Sequence, residues 1–326
     1  MIYIENNSHD PHYNLAFEEY VFHNLCRDDT ILLLWQNEPS VIIGKHQNTV
    51  EEINAAFIES RGVNVVRRIT GGGAVYHDLG NLNYSFLIPD VKNDIDFKTF
   101  TRPLIDALEK LHVKVEQSGR NDITIEEKKF SGNAQYYFRN VLLHHGTILF
   151  ESRLEDVQQE LKLKPGKIES KGVKSVRSRV TNIRPYLQTP MTIETFKRYL
   201  LQAFSEAAPL TVLELTEAQQ AGIRQLADTK YRTWDWNYGR SPKCNISRSG
   251  YFEGGYVEIH LNVESGQITE AKVFGDFFST RDTAEFEALL VGAEYSREAL
   301  AAIVAGADIG RFFNRISEEE ILGLLY

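Results

Sequence analysis

Three consecutive glycines, Gly71 to Gly73, restrict what this chain can fold into more than any other stretch. Glycine has no side chain to pack and loses the most backbone entropy on ordering, so such a run suits a loop that approaches a ligand or takes positive φ. Residues 62–68 and 82–88 have the pattern of strands that enter and leave this loop. The motif is equally compatible with a small-molecule site and with an ordinary glycine hairpin.

The composition is that of a globular protein with a large core. The chain has 326 residues, 42% hydrophobic and 25% charged, which predicts one large domain and a second, smaller one. A net charge of −9 argues against a general nucleic-acid binder. We expect a cytoplasmic protein that does not interact with membranes, because residues 1–7 lack the layout of a signal peptide and no apolar run could span a bilayer. Cys26 and Cys244 are far apart, which indicates neither a disulfide framework nor a zinc site.

Short strands with interspersed helices predict an α+β fold with mixed or antiparallel sheets, not a βαβ repeat. The apolar periodicity predicts helices at 14–25, 51–60, 97–111, 193–204 and 217–231. Short strands are predicted at 113–116 and 122–126, and a tight turn is predicted at Arg139-Asn140. A boundary near residues 238–243 divides the chain into predicted domains 1–243 and 244–326, the second a small strand meander followed by helices.

The segment from Lys162 to Arg179 differs in composition from its surroundings. It carries seven lysines and arginines against one glutamate, is broken by proline and glycine, and has no apolar period. A loop of this length inside a compact domain is usually functional or disordered. We therefore interpret it as a mobile basic loop.

Two short motifs carry further candidate chemistry. Asn121 and Asp122 follow a glycine in a turn; such residues are common in turns, but the carboxylate could also hold Mg²⁺ or a nucleotide hydroxyl. Lys129 follows Glu126 and Glu127 and precedes a predicted glycine turn at Gly132. The charge run is typical of a solvated hairpin, while a lysine at this place could also stabilise negative charge that develops in acyl transfer.

The pair His144-His145 lies inside an otherwise apolar strand. Neighbouring strand residues point to opposite faces, so at most one of the two is expected to face a site. Buried histidines are more often hydrogen-bonded core residues than catalysts. No third ligand at a suitable spacing indicates a zinc site.

Taken together and in this order, the motifs resemble those of the lipoate–protein ligase A family, the stand-alone ATP-dependent ligases of the biotin/lipoyl-ligase superfamily. They are the run from Arg67 to Asn81, then Gly119 to Asp122, Lys129 to Ala134 and His144 to Thr147. The early segment 11–19 and the late segment 234–239 also resemble that family, so that the likeness covers nearly the whole chain.

The resemblance implies a large catalytic domain and a small C-terminal accessory domain. It implies that lipoate is activated with ATP and Mg²⁺ to lipoyl-AMP, with release of pyrophosphate. The lipoyl group is then transferred to a lysine of apo carrier domains, namely the acyltransferase subunits of 2-oxoacid dehydrogenases and the glycine-cleavage H protein, in lipoate scavenging. We expect a monomer.

The resemblance also implies residue roles, with Lys129 as the catalytic residue that contacts the lipoyl carbonyl and the phosphate in both half-reactions. The implied lipoyl-binding residues are Arg68, Thr70, Gly71, Gly72, Gly73, His77, His145 and Gly146. The implied nucleotide-binding residues are Val75, Tyr76, Asn81, Asn121, Asp122, Lys129, Ser178, Arg179, Val180 and Thr181, of which Asp122 would also meet Mg²⁺. Such a site agrees with the ligand, since lipoate needs an apolar slot with a cation at its carboxylate end.

Three alternatives remain open at this stage. An ATP-independent lipoyl or octanoyl transferase of the same fold would use a cysteine or take its acyl group from a carrier, and neither Cys26 nor Cys244 is well placed for such a role. Biotin ligation fits the glycine motif less well. A non-catalytic lipoyl-binding or carrier-regulating protein is disfavoured by the presence of both Lys129 and Asp122.

Overall fold

The computed structural model describes residues 1–54, 58, 60–91, 96–119, 121–155, 180–238, 245–264 and 266–326. In this part of the chain the strands are β1 Ile2–Tyr3, β2 Ile31–Trp35, β3 Ser40–Ile43, β4 Asn64–Arg67, β5 Val75–His77, β6 Asn81–Ile88, β7 Glu116–Ser118, β8 Asp122–Ile125, β9 Lys128–Phe138, β10 Val141–Leu149, β11 Thr211–Val212, β12 Ile246–Phe252, β13 Gly255–Glu264 and β14 Gln267–Gly275. The α-helices are α1 Pro11–Asn24, α2 Thr49–Glu52, α3 Phe97–Lys110, α4 Ile193–Ala207, α5 Glu217–Leu226, α6 Trp234–Asn237, α7 Thr283–Leu290, α8 Arg297–Gly306, α9 Ile309–Phe312 and α10 Glu318–Leu325. The basic loop and the predicted site residues Ser178 and Arg179 lie outside the described residues.

An eight-stranded sheet forms the centre of the larger part, in the order β11-β1-β2-β6-β10-β9-β8-β7. Its first three strands are parallel and the others antiparallel, which is the mixed sheet that the sequence predicts. Strand β6 is buried on both faces, because α3 and α4 cover one face while α1 and α5 cover the other. The predicted turn at Arg139-Asn140 is confirmed: both residues have positive φ and join β9 to β10.

A second sheet of three strands carries the glycine loop, in the order β4-β3-β5. β4 pairs with β3 in parallel and β5 pairs with the other side of β3 in antiparallel fashion. The strands that flank the glycines are therefore not paired with each other, and the interpretation as a simple hairpin is wrong. Residues 68–74 instead cross from one side of β3 to the other.

Some predicted elements need correction. The segment from Lys129 to Gln135 contains no turn; it lies inside the continuous strand β9, and the turn falls at Glu126-Glu127, where both residues have positive φ. The strand predicted at 113–116 is β7, which begins at Glu116. Helix α2 covers Thr49–Glu52, and part of the remaining predicted helix falls outside the described residues.

The C-terminal part consists of the antiparallel sheet β12-β13-β14 and helices α7 to α10, which share one hydrophobic core. It contacts the glycine loop directly, since the backbone N–H of Gly72 donates to the carbonyl of Phe277 over 3.3 Å. The ring of His46 stacks on that of Phe277, with 4.7 Å between their centroids. The described residues thus form the predicted α+β fold. The boundary at 243/244 stays a prediction, because residues 239–244 are outside the description.

Candidate functional site

A cavity of about 290 Å³ lies where the glycine loop faces the central sheet. Both sheets, helix α1 and the segment after β14 contribute to its walls. The cavity is lined by Leu15, Trp35, Ile42, Arg68, Gly72, Gly73, Ala74, Val75, His77, Asn83, Asn121, Asp122, Lys129, Gly132, Asn133, Ala134, His145, Gly146, Thr147 and Asp276. Half of these twenty residues are polar or charged, and the others are apolar or glycine. A concave site with converging polar groups beside apolar walls is typical of a small-molecule site.

The cavity crosses the strands of the central sheet. Trp35 is paired with Asn83, and Asn83 with Thr147. The backbone N–H of Gly132 donates to Oγ1 of Thr147 over 3.2 Å, and Gly132 is paired with Asp122. Adjacent strands lie about 4.8 Å apart, so Asn83 and Asp122 are separated by three strand spacings, about 14 Å. The slot therefore has two distinct ends.

The Asp122 end carries an ion pair. Nζ of Lys129 lies 2.7 Å from Oδ1 of Asp122, and each side chain is about one-third exposed, at 35% and 32%. A Cβ atom on Gly132 would lie 2.7 Å from Nζ of Lys129, so the glycine leaves the space that the ammonium group occupies. A partly exposed ion pair contributes little net free energy, so the ammonium can exchange its partner for a ligand at small cost.

The residues after the basic loop lie beside this ion pair. Val180 forms a β-bridge with Lys129, and the N–H of Thr181 donates to the Lys129 carbonyl over 2.9 Å. Nδ2 of Asn133 donates to the Asn121 carbonyl, and Nδ2 of Asn121 to the Asn133 carbonyl, over 3.0 and 2.5 Å. The fold thus brings these three segments together although they are distant in sequence.

Arg68 holds the glycine loop in shape from inside. Its Nε donates to Oγ1 of Thr70 over 2.9 Å, and one terminal nitrogen donates to the carbonyls of Gly71 and Gly73 over 2.7 and 2.9 Å. Burial lowers the pKa of Arg68 to about 10, so the guanidinium remains charged at neutral pH. Because the carbonyls of Gly71 and Gly73 accept from this charged group, the loop backbone beside the cavity is held in one conformation.

A buried chain of polar groups continues from Thr70 into helix α1. Nε2 of His145 lies 2.9 Å from Oγ1 of Thr70, and Nδ1 lies 2.9 Å from a carboxylate oxygen of Glu18. A carboxylate accepts hydrogen bonds, so Nδ1 of His145 donates to Glu18. Ser85 donates to the same carboxylate over 2.5 Å. The wall of the cavity is thereby fixed by side chains from four elements.

His144 faces away from the cavity. Its ring is fully buried near Phe97 and Phe100, and its Nδ1 is 2.9 Å from Nε2 of Gln135. Burial lowers its pKa to about 3. His145 lies in the cavity wall and His144 in the core, as the alternation of side chains along a strand requires.

Family models agree with this arrangement. One described as "Lipoyl protein ligase A/B catalytic domain" matches residues 10–205, and one described as "Bacterial lipoate protein ligase C-terminus" matches residues 241–325. The chain belongs to the lipoate–protein ligase family. The resemblance seen in the sequence motifs is confirmed.

Similar proteins cover the whole chain. It is 46% identical to lipoate–protein ligase LplJ of Bacillus subtilis, over 100% of both chains, and 44% identical to lipoate–protein ligase 1 of Staphylococcus aureus, over 98% of both. The solved structure of LipL1 of P. falciparum in complex with lipoate is 27% identical, covers 94% of each chain and superimposes with a TM-score of 0.81.

Two further solved structures match the larger part of the chain. A lipoate–protein ligase A bound with ATP is 28% identical over 73% of this chain and 98% of that one, with a TM-score of 0.63. A bipartite lipoate–protein ligase from Thermoplasma acidophilum, described with its E2 lipoyl domain, is 30% identical over 75% of this chain and 98% of that one, with a TM-score of 0.65. These likenesses confirm the predicted ligase-type fold class.

The structure brings most of the predicted site residues of this family member to one cavity. Those that line it are Arg68, Gly72, Gly73, Val75, His77, Asn121, Asp122, Lys129, His145 and Gly146. Four others lie behind the wall: Thr70 beneath His145, Gly71 against Phe277, Tyr76 in the core of the small sheet, and Asn81 bonded to the side chain of Asn83. The roles of these residues stay predictions.

Arg67 has a different position from Arg68. Its guanidinium is buried outside the cavity and donates to the carbonyls of Gly44, Lys45 and Gln47 over 2.9, 3.1 and 2.7 Å. It also donates to Oγ1 of Thr49 over 2.7 Å. Arg67 therefore fixes the loop after β3, and the arginine pair in the motif has one member on each side of β4.

Sequence reasoning missed several residues of the site, among them Leu15, Glu18, Trp35, Asn83 and Thr147. Alternation along β6 and β10 does put Asn83 on the same face as Ser85, and Thr147 on the same face as His145. Only the strand register, however, tells that these faces border the glycine loop.

The described residues contain no helix that is both long enough and apolar enough to cross a membrane.

Proposed function

We propose that this chain activates lipoate with ATP to lipoyl-AMP and pyrophosphate, and then transfers the lipoyl group to a lysine ε-amine of carrier domains. The observation that carries the proposal is the two-ended cavity, with the Lys129–Asp122 pair at one end and the apolar side chains of Leu15, Trp35 and Ile42 in its walls. The lipoate-bound and ATP-bound neighbours support the same two ligands.

Lys129 has the chemistry that the first half-reaction needs. An oxygen of the lipoate carboxylate attacks the α-phosphorus of ATP, and the bond from that phosphorus to the bridging oxygen of pyrophosphate breaks. Two anions must meet, so a cation at the point of contact lowers the barrier. Among the described residues that line the cavity, Lys129 supplies the cation at this end, and its ammonium exchanges Asp122 for the ligand.

The second half-reaction uses the same end of the cavity. The amine of a carrier lysine attacks the lipoyl carbonyl, an amide bond forms, the bond to AMP breaks and the amine loses a proton. Negative charge develops on the carbonyl oxygen, where the Lys129 ammonium again stabilises it. Leu15, Trp35 and Ile42 give the acyl chain an apolar wall that keeps it in place between the two steps.

Asp122 fits a magnesium ion that arrives with ATP. Mg²⁺ is usually held in such sites by one or two carboxylates together with phosphate oxygens. Among the described residues no cluster of three or more histidine, cysteine, aspartate or glutamate side chains could hold a metal, and Asp122 supplies a single carboxylate beside Lys129. When bound there, the ion would offset negative charge on the phosphates.

The proposed carriers are the acyltransferase subunits of 2-oxoacid dehydrogenases and the glycine-cleavage H protein, and the proposed setting is lipoate scavenging in the cytoplasm. The neighbour described with its E2 lipoyl domain supports a lipoyl-domain carrier. We propose a monomer, because one chain supplies every residue of the described cavity. We also propose the domains 1–243 and 244–326, which agree with separate family matches ending at 205 and beginning at 241.

A cysteine-based transferase is the less favoured function. Cys26 is 1% exposed in the core beneath helix α1, and burial raises the pKa of its thiol to about 11. A nucleophilic cysteine needs an accessible thiolate, so Cys26 cannot serve. Cys244 lies outside the described residues.

The test is lipoate-dependent exchange of pyrophosphate into ATP, with Mg²⁺ and no carrier. The wild type should exchange, and Lys129→Ala should lose about 10²- to 10³-fold in rate, the usual effect of removing one charge-stabilising donor. Lys128→Ala is the matched control, because the neighbouring strand residue points to the opposite face. A loss of less than about tenfold for Lys129→Ala would contradict its role. Transfer to an apo lipoyl domain then tests the second half-reaction.

A further inference from the structure

At the slot end away from Lys129, two polar groups have no hydrogen-bond partner among the described residues. Nδ2 of Asn83 and Nε2 of His77 are buried and have no hydrogen-bond partner within the described part of the chain. Both residues line the cavity, and they are 2% and 3% exposed. Burying a hydrogen-bonding group without a partner destabilises a fold, so groups left in this state point to a ligand.

The orientation of His77 is fixed by two asparagines. Nδ2 of Asn14 donates to Oδ1 of Asn37 over 2.9 Å, which turns the Asn37 amide nitrogen towards His77. Nδ2 of Asn37 then lies 3.1 Å from Nδ1 of His77 and donates to it. Burial lowers the pKa of His77 to about 3, so the ring is neutral and its single proton lies on Nε2. His77 therefore presents an N–H donor to the slot.

Asn83 has one such contact, to Asn81, whose Oδ1 has no hydrogen-bond partner among the described residues. Nδ2 of Asn81 donates to Oδ1 of Asn83 over 2.9 Å, so the amide nitrogen of Asn83 is the atom left facing the slot. Nε1 of Trp35 donates to Oγ of Ser85 over 3.1 Å and is directed away from this space. The slot end thus combines the apolar faces of Leu15, Trp35 and Ile42 with the N–H groups of His77 and Asn83.

We propose that Asn83 and His77 form a donor pair that recognises the two ring sulfurs of lipoate. The inference rests on the proposed function, in which the carboxylate lies at Lys129. Divalent sulfur is a weak hydrogen-bond acceptor and fits neutral donors surrounded by apolar walls. A purely hydrocarbon tail offers no acceptor for these N–H groups, so the donor pair favours lipoate over an acid of the same shape without sulfur.

The dimensions of the slot agree. An extended five-carbon acid carrying a five-membered ring spans about 9 Å from carboxylate to ring sulfur, at ~1.25 Å per bond along the chain. Hydrogen-bond contacts of about 3 Å at either end bring the total to about 15 Å. The strand spacing between Asn83 and Asp122 gives about 14 Å. The separation of these strands therefore matches the length of a lipoate whose carboxylate lies at the Lys129–Asp122 pair and whose ring lies at Asn83.

The test compares lipoate with cyclopentylpentanoic acid, which has the same chain and ring but carbon in place of both sulfurs. Binding of each acid to the full chain is measured by calorimetry, and pyrophosphate exchange is measured in parallel. The wild type should bind lipoate about five- to tenfold more tightly, the effect of one or two weak hydrogen bonds. Asn83→Leu removes the donor and keeps the number and branching of the side-chain heavy atoms, and it should reduce this ratio to within about twofold.

Gln135→Leu is the control, since it also replaces a buried amide with leucine, on the face of the sheet that holds His144, and its ratio should equal that of the wild type. Asn83→Ala repeats the test with a smaller side chain if Asn83→Leu folds poorly. A wild type that binds both acids equally would overturn the inference. So would Asn83 variants that keep the wild-type ratio of affinities, including variants that lose affinity for both acids equally. If the wild type exchanges pyrophosphate but binds both acids equally, only the donor pair is contradicted. If it prefers lipoate but exchanges no pyrophosphate, only the proposed adenylation is contradicted.

Discussion

A methyl group on Gly132 should disturb Lys129, the proposed catalytic residue, and little else. A Cβ atom at this position would lie 2.7 Å from Nζ and 2.8 Å from Cε of Lys129, and 3.9 Å from Oδ1 of Asp122. Real Cβ atoms essentially never come within 3.0 Å of another heavy atom, so one group must move. The atoms that clash belong to the far end of a flexible side chain, so the backbone of β9 can stay in place.

The size of the effect follows from this geometry. Normal carbon contacts are about 3.5–4.0 Å, so the end of Lys129 must retreat by roughly 1 Å. A misplacement of this size at a reacting centre can cost about 10²-fold in rate, and complete loss of a charge-stabilising donor costs about 10²- to 10³-fold. We therefore expect Gly132→Ala to lower the rate of adenylation by roughly 10- to 100-fold, with a change in unfolding free energy below about 1 kcal/mol.

The assay is lipoate-dependent pyrophosphate exchange, combined with urea unfolding of the same preparations. Gly323→Ala is the control, because an added methyl there meets no atom within 4 Å. That helix position should gain about 0.5–1 kcal/mol and keep full activity. An exchange rate for Gly132→Ala within twofold of the wild type would refute the placement of Lys129. A large loss of stability would refute the view that only a flexible side chain has to move.

Two other predictions concern buried charge. Arg67→Met removes donors to the carbonyls of Gly44, Lys45 and Gln47, so it should cost about 3–5 kcal/mol of unfolding free energy, measured in urea; a loss below about 1 kcal/mol would contradict the structural role. His144 has a folded-state pKa of about 3, against 6.5 when unfolded, because burial disfavours its charged form. The unfolded state therefore takes up the proton first. The contribution of His144 to stability is complete above about pH 6.5 and falls by about 1.4 kcal/mol per pH unit towards pH 3. His144→Phe should remove this dependence of stability on pH. The unfolding free energies of wild type and variant should therefore converge as the pH falls from 6 to 4, and parallel curves would contradict the proposed effect of His144.

Local patterns predicted the elements whose signals are themselves local. The amphipathic stripe of α3 and the turn at Arg139-Asn140 depend on neighbours within a few residues, and both are observed. The interpretation of Gly132 was wrong because a glycine in sequence looks the same whether it makes a turn or leaves room. Its partner in space is Lys129, three residues earlier on the same strand, and a preference for turns does not reveal that contact.

The pairing of β4 and β5 is a non-local matter of the same kind. Two strands that flank a glycine run are most simply joined as a hairpin, yet each pairs with an opposite side of β3. The buried guanidinium of Arg68 makes this crossing stable, because it binds carbonyls along the loop. No periodicity in the sequence records these bonds.

By itself, the sequence determined that the chain is an α+β protein with a glycine loop, a lysine motif and the set of residues found in lipoate–protein ligases. Only the tertiary structure decided which of them share a cavity, that His145 faces it while His144 does not, and that Arg67 and Arg68 have different tasks. It also revealed Asn83, which follows the glycine motif closely but is not singled out by any pattern in the sequence. The physical reason is that side-chain type and period fix local geometry, whereas the slot is formed by strand register, which depends on how distant segments bury their apolar faces together.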